Sequence, residues 1–214
     1  MKYLAINTAS SFTAVALLKQ SDSFLKLIDE DGWKSNNDEA ELLMPAIQTL
    51  LQKHKLDYTD LNSILSIKGP GSFTGLRVGV SVANTIAYLT GTPLYSLDAF
   101  HLHWLTPPKP TKSALLIYAG AKGLYISLDP QDHHLVPLEQ APQFLKEKNI
   151  TAIFGDITEQ QKQHLNNFTF SPTKSSFGQT LEKLDHTQLK PTKIVKPLYI
   201  KRPGITISKK SLFN

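Results

Sequence analysis

The 214-residue chain contains no cysteine, which excludes a disulfide framework, a thiolate metal centre and a cysteine nucleophile. Arginine is nearly as scarce: Arg77 and Arg202 stand against 21 lysines. No run approaches the roughly 18 consecutive apolar residues of a membrane-spanning helix. The opening "MKYLAINTAS" loses its apolar character at Asn7 and Thr8, too early for the core of a secretory signal. No low-complexity tract or internal repeat is visible. His101 and His103 are two apart, on different sides of any helix, and His133 and His134 are adjacent; neither pair has the i, i+4 spacing that brings two imidazoles to one metal. A nucleophile-elbow glycine pattern is missing too. These absences predict a soluble cytoplasmic protein with no membrane partner and no metal site.

What is present is ordinary for a globular chain: 41% hydrophobic and 19% charged residues, enough for one domain or two small lobes. The net charge of +5 is unevenly spread. Residues 1–106 carry 8 Lys/Arg against 10 Asp/Glu, and residues 107–214 carry 15 against 8. After Asp185 no acid follows, while Lys190, Lys193, Lys196, Lys201, Arg202, Lys209 and Lys210 do. Such a segment either meets RNA phosphates or an acidic face, or is simply a lysine-solvated surface.

"YLAINTAS", "FTAVALLK" and "FLKLID" read as a meander of three short strands. "NNDEAELLMPAIQTLLQKH" then changes period, with Leu43, Ile47 and Leu50 on one helical face. Its helix starts near Asp38, where acids suit the positive end; Pro45 either kinks it or marks its proper beginning. "LNSILSIKG" reads as a buried strand and "LRVGVSVANTIAYLTG" as a helix stopped by Gly91. This alternation predicts an α/β fold with a parallel part. Leu105–Lys112, with three prolines, divides a lobe of residues 1–106 from one of 107–214. Beyond it come a hairpin around Ala121–Lys122, a helix in "PLEQAPQFLKEKN", a strand in "ITAIFGD" and a helix in "SSFGQTLEKLDH".

The chemistry-bearing candidate is "GPGSFTGLRVG", Gly69–Gly79, at a strand-to-helix junction where free N–H groups and the helix dipole favour anions. It lacks the Lys-Ser/Thr pair of a P-loop, and its glycines miss the dinucleotide spacing. Two readings stay open: a phosphate cradle, or a sharp turn at Gly69 and Gly71 with Ser72 or Thr74 capping the helix. Arg77 hints at a forked donor for an oxyanion. "INTAS" after the first strand is likewise either a polar site or a turn.

Together these stretches resemble the TsaB (YeaZ) family of bacterial proteins that serve threonylcarbamoyladenosine modification of tRNA. "GPGSFTGLRVG" carries most of the resemblance, supported by "YLAINTAS", "TAVALL", "AELLMPAIQTLL", "GTPLYSLDAF" and "PLYIKRPGIT". The resemblance implies an actin-like, sugar-kinase-like (ASKHA) α/β fold of two ribonuclease-H-like lobes, the second reduced. It implies a supporting subunit without catalysis of its own, acting with the transferase TsaD and the ATPase TsaE, a homodimer when alone, and tRNA met through the complex. Catalytic relatives have an acid after the first strand and paired metal-binding histidines; here Asn7 stands at that position and the pair is missing. Pairing is expected on the helices Asp38–His54 and Leu76–Thr90, with Leu43, Ile47, Leu50 and Tyr88 as exposed apolar candidates unless they are core residues. No nucleotide cofactor is expected for the lone chain; ATP or ADP near the partner interface would be bordered by Gly69, Gly71, Ser72, Thr74 and Arg77. The alternatives are an independently active kinase or acyltransferase of the same fold, and an RNA-binding adaptor.

Overall fold

The computed structural model describes residues 1–107, 112–120 and 122–200. Part of the proline-rich boundary, Ala121 and the basic residues Lys201, Arg202, Lys209 and Lys210 lie outside the described residues. The chain opens with the antiparallel meander β1 (Lys2–Asn7), β2 (Phe12–Ser21) and β3 (Phe24–Lys34). Helix α1 (Glu39–Lys53) then leads to β4 (Ser63–Ile67), and α2 (Phe73–Thr90) to β5 (Leu94–Leu97). β4 pairs parallel with β1, and β5 parallel with β4, so the sheet order is β3-β2-β1-β4-β5.

Helix α3 (Ala99–Trp104) crosses to a second sheet of β6 (Ser113–Tyr118), β7 (Gly123–Ser127), β8 (His133–Pro137), β9 (Ala152–Asp156) and β10 (Thr169–Phe170), with α4 (Ala141–Glu147) and α5 (Glu159–His164) between its later strands. Its order, β10-β9-β6-β7-β8, repeats the first sheet: an antiparallel meander with two parallel strands added beside its first strand. The repeat lives in topology and leaves no trace of sequence identity visible by eye. The second lobe is reduced in its helices, which span only seven and six residues, and not in its number of strands.

The boundary at Leu105–Lys112 separates the two sheets, but not all that follows it belongs to the second. Helix α6 (Phe177–Leu181) returns to the first lobe, where the Glu30 carboxylate accepts the Gly178 N–H at 2.8 Å and Glu182 accepts the Leu27 N–H at 3.0 Å. Residues 192–199 continue along that lobe, tied at Leu94, Asn84 and Lys68. A core shared by both sheets includes Tyr3, Ala5 and Leu65 from the first, Leu115, Ile117 and Phe154 from the second, and Phe100 of α3 between them. Rotating one lobe against the other would open this apolar surface to water at roughly 25 cal/mol per Å².

Both long helices have the ends that their sequences dictate. Ser72 accepts the Gly75 N–H at 3.2 Å as N-cap of α2, and Gly91 ends it with φ +68°. α1 carries Glu39 and Glu41 in its first turn and runs on through Pro45, neither ending nor starting there. Leu43, Ile47 and Leu50 are buried, which corrects the expectation that they are exposed. They pack with Leu4, Val15, Val80 and Ala83 in a core between the first sheet and the helix layer. Each contributes roughly 1.5–3 kcal/mol there relative to exposure, so the stripe is consumed inside the lobe.

Candidate functional site

Strand β4 delivers the glycine-rich turn to the start of α2, beside the turn that joins β1 to β2. The two turns interlock. The Ser72 N–H donates to the Ala9 carbonyl at 2.8 Å. A Cβ on Gly71 would stand 1.9 Å from that same oxygen, one on Gly75 2.3 Å from the Thr8 carbonyl, and one on Gly79 2.1 Å from Thr8 Oγ1. Gly75 and Gly79 share one face of α2, on which Thr8 lies, and Gly71, ahead of the helix, meets Ala9. Glycine is therefore required by close approach of backbone at positions 71 and 75, and at 79 by the Thr8 side chain. The turn's own carbonyls are also engaged: Gly69 accepts from Ala99 at 2.7 Å, and Lys68 from Leu198 at 2.7 Å.

The chain itself brings a carboxylate to the positive end of α2. Glu39, buried at the first turn of α1, accepts a hydrogen bond from the Ser35 hydroxyl. Its Oε1 lies 3.2 Å from where a Gly75 Cβ would be. An external phosphate seated on that side of the helix end would meet the Glu39 carboxyl oxygen already in place. The geometry favours the architectural reading of the motif.

The expected nucleotide-border residues are only partly brought together. Gly71, Ser72 and Thr74 line a groove of 490 Å³ whose other walls are Tyr118 and Gly120 of the second lobe and Leu198 and Tyr199 of the returning chain. Gly69 is buried against Leu76 instead. Arg77 is exposed, with its guanidinium 3.8 Å from the Phe73 ring centre and Nε donating to the Tyr199 hydroxyl at 2.9 Å. Sequence reasoning found neither Glu39 nor Tyr199, since both act through residues distant in the chain.

A second cleft, of 610 Å³, opens where β1 ends, between the first sheet, α3 and α6, and Asn7, Ser10, Phe12, Glu30, His103 and Phe177 are among its walls. Both ends of the Asn7 carboxamide are used locally: Oδ1 accepts the Ala9 N–H at 3.0 Å and Nδ2 donates to Ser10 Oγ at 3.2 Å. "INTAS" is thus a side-chain-stabilised turn. Burial holds the His103 pKa below its usual value, against the opposing pull of Asp156. No lysine or arginine lines the cleft among the described residues. Asp156, at the end of β9, accepts the Ser11 N–H at 2.6 Å and the Ser11 hydroxyl, tying the two lobes together. Among the described residues no three His, Asp or Glu side chains come together as a metal site, and no helix is long and apolar enough to cross a membrane.

On the outer surface, the large apolar side chains presented by α1 and α2 are Leu42, Met44, Phe73, Tyr88 and Leu89. Tyr88 and Leu89 stand out, at 88% and 75% exposure. Of the four residues expected to form an exposed face, the structure leaves only Tyr88 there. Val78, Ser81 and Thr85, uncharged and partly or fully exposed, extend this surface along α2.

Two five-stranded sheets of repeated topology, flanked by helices, match the solved structure of YeaZ from Pseudomonas aeruginosa with a TM-score of 0.68 at 16% identity, covering 93% of this chain and 99% of that one. The fold is accordingly an α/β fold of the actin-like, sugar-kinase-like class. A family model described as TsaD, tRNA N6-adenosine threonylcarbamoyltransferase, matches residues 35–206. The tRNA threonylcarbamoyladenosine biosynthesis protein TsaB of Bacillus subtilis (strain 168) is 30% identical over 76% of this chain and 74% of its own length. The tRNA N6-adenosine threonylcarbamoyltransferase of Erythrobacter litoralis (strain HTCC2594) is 37% identical, over only 31% of this chain and 20% of that protein. The chain belongs to the TsaB/YeaZ family.

Proposed function

We propose that this chain is the non-catalytic partner subunit of the assembly that makes threonylcarbamoyladenosine in tRNA. In this reading TsaD transfers the threonylcarbamoyl group from its adenylate to N6 of adenosine 37 in tRNAs reading ANN codons, TsaE is the accompanying ATPase, and all three work in the cytoplasm. Family membership supports the pathway. The observation that carries the subunit's role is Asn7. It stands at the end of β1, where the resemblance puts an acid in catalytic relatives, and its amide is spent on Ala9 and Ser10. An amide has no proton-accepting capacity near neutral pH and is a weaker ligand for a hard cation than a carboxylate. The neighbouring His103 is disfavoured as a cation by burial, and among the described residues no lysine or arginine lines the cleft to meet an anionic substrate.

Docking uses the outer surface of α1 and α2. Tyr88 and Leu89, with Leu42 and Met44, supply the apolar anchors that such an interface needs. The chain pairs with itself when alone and with TsaD in the cell, and tRNA is met through the complex. Nucleotide lies near the groove lined by Gly71, Ser72 and Thr74 and is held tightly only in the assembly; Glu39 and the closed turn argue against tight binding by the lone chain. Depleting the protein in cells and measuring tRNA nucleosides by mass spectrometry tests the proposal. Loss of threonylcarbamoyladenosine is expected, and an undiminished level defeats it.

A further inference from the structure

The returning segment Thr192–Tyr199 is held on the first lobe at successive points. The Thr192 N–H donates to the Leu94 carbonyl at 2.8 Å. The Asn84 side chain then grips the Val195 backbone from both sides, accepting its N–H at 2.8 Å and donating to its carbonyl at 2.9 Å, while the Val195 side chain is buried in the helix–sheet core. Leu198 is fixed to Lys68, immediately before the glycine turn. Tyr199 ends the run. Its ring stands 5.3 Å from that of Phe73, its hydroxyl takes the Arg77 Nε–H, and with Leu198 it forms one wall of the groove.

Arg77, Ser81, Asn84 and Tyr88 follow one another by four, three and four residues, so they form a single stripe on α2. The segment occupies Arg77 and Asn84 on this stripe, while Ser81 and Tyr88 are exposed. A protein seated over Ser81 and Tyr88 must therefore abut the segment. We propose that Thr192–Tyr199 is an autoinhibitory strap: in the free chain Tyr199 latches the Arg77 guanidinium, and docking on α2 displaces the strap so that Arg77 turns to a phosphate of the nucleotide in the groove. This rests on the docking and nucleotide reading above and adds its regulation. A guanidinium whose Nε–H is committed to the tyrosine hydroxyl cannot offer its Nε side to phosphate, whereas a released one presents the whole fork.

The probe is ATP, titrated calorimetrically into the full chain. Tyr199→Phe keeps the ring and removes the acceptor, and it is expected to bind ATP about tenfold more tightly than the unaltered chain, the scale of one charge-assisted hydrogen bond. Adding Arg77→Ala must abolish the gain. An unchanged affinity in Tyr199→Phe, or a gain that survives Arg77→Ala, overturns the latch. Hydrogen exchange supplies a readout that needs no nucleotide: addition of TsaD should speed exchange at residues 192–199. Binding of TsaD with no change in that segment also overturns the strap while leaving the docking reading intact. Absence of any TsaD binding defeats the docking reading, and displacement of the strap by docking falls with it, while the ATP comparison still judges the latch itself.

Discussion

The seat of α2 on the β1–β2 turn can be tested atom by atom, because neighbouring glycines meet different parts of the same residue. A Cβ on Gly75 would collide with the Thr8 backbone carbonyl at 2.3 Å, and a Cβ on Gly79 with the Thr8 hydroxyl at 2.1 Å. Alanine in a helix is favoured over glycine by about 1 kcal/mol. Forced overpacking in a closed core costs about 1–3 kcal/mol and more against immovable backbone. Gly75→Ala is therefore expected to destabilise the chain by about 2 kcal/mol net, and Gly79→Ala by about 1–2 kcal/mol. Thr8→Ala removes the hydroxyl that Gly79→Ala meets, and that Oγ1 is buried without a partner, so its own deletion is close to neutral. The Thr8→Ala/Gly79→Ala pair should return to the stability of the unaltered chain or exceed it. Thr8→Ala should do nothing for Gly75→Ala, whose obstacle is a carbonyl that every residue carries. Urea denaturation at constant m-value gives the free energies of the three single and two double variants, and the two couplings. Equal rescue of both glycine variants, or no cost for Gly75→Ala, would refute the close backbone contact.

Burial lowers the His103 pKa, so the unfolded chain binds this proton more readily than the folded one. Stability should fall as pH drops below the unfolded value of about 6.5, and His103→Gln should flatten that slope in denaturation curves recorded from pH 7 to 5. Lys53 and His54 hold the Asp29 pKa down to about 2. Its contribution is present above the unfolded carboxylate range and disappears as pH falls toward 2, a dependence that Asp29→Asn should remove and that carbon-detected titration can follow. Tyr88→Ala should weaken TsaD binding at least tenfold, the loss of a central aromatic anchor, with melting temperature unchanged; surface plasmon resonance reads the first and calorimetry the second. Asp156→Ala leaves Ser11 without its partner and should cost about 1–2 kcal/mol, with faster hydrogen exchange at residues 10–12 and 155–157.

Long, periodic elements were legible because their hydrophobic spacing is local. The meander, α1, β4 and α2 follow from residues next to one another in sequence, and Gly91 marks the end of α2 in advance; the sequence leaves the cap open between Ser72 and Thr74 and reads the helix from Leu76, and the structure caps it at Ser72 and starts it at Phe73. Whether a helical stripe is covered is not local. Leu43, Ile47 and Leu50 share a face by their spacing, but only the placement of Leu4, Val15 and Val80 shows that this face is filled from within. α3 is six residues long, too short for a periodic signal, although Asp98 ahead of "AFHLHW" is a usable cap. The return of the chain after Phe177 was invisible for the same reason as the Tyr199–Arg77 contact, which spans 122 positions. For the glycine motif, sequence left a phosphate cradle and a turn both open. Thr8, Ala9 and Glu39 favour the turn, because they fill the space beside the helix start that the glycines leave open.

The central claim is that this polypeptide supports a reaction it does not perform. The direct measurement is threonylcarbamoyl transfer to tRNA from a supplied adenylate donor, with the purified chain alone, with TsaD alone, and with both plus TsaE. Modified adenosine should accumulate over repeated turnovers only in the full mixture, and the chain alone should give none. Transfer by the chain in isolation, or undiminished turnover when it is left out, would contradict the account.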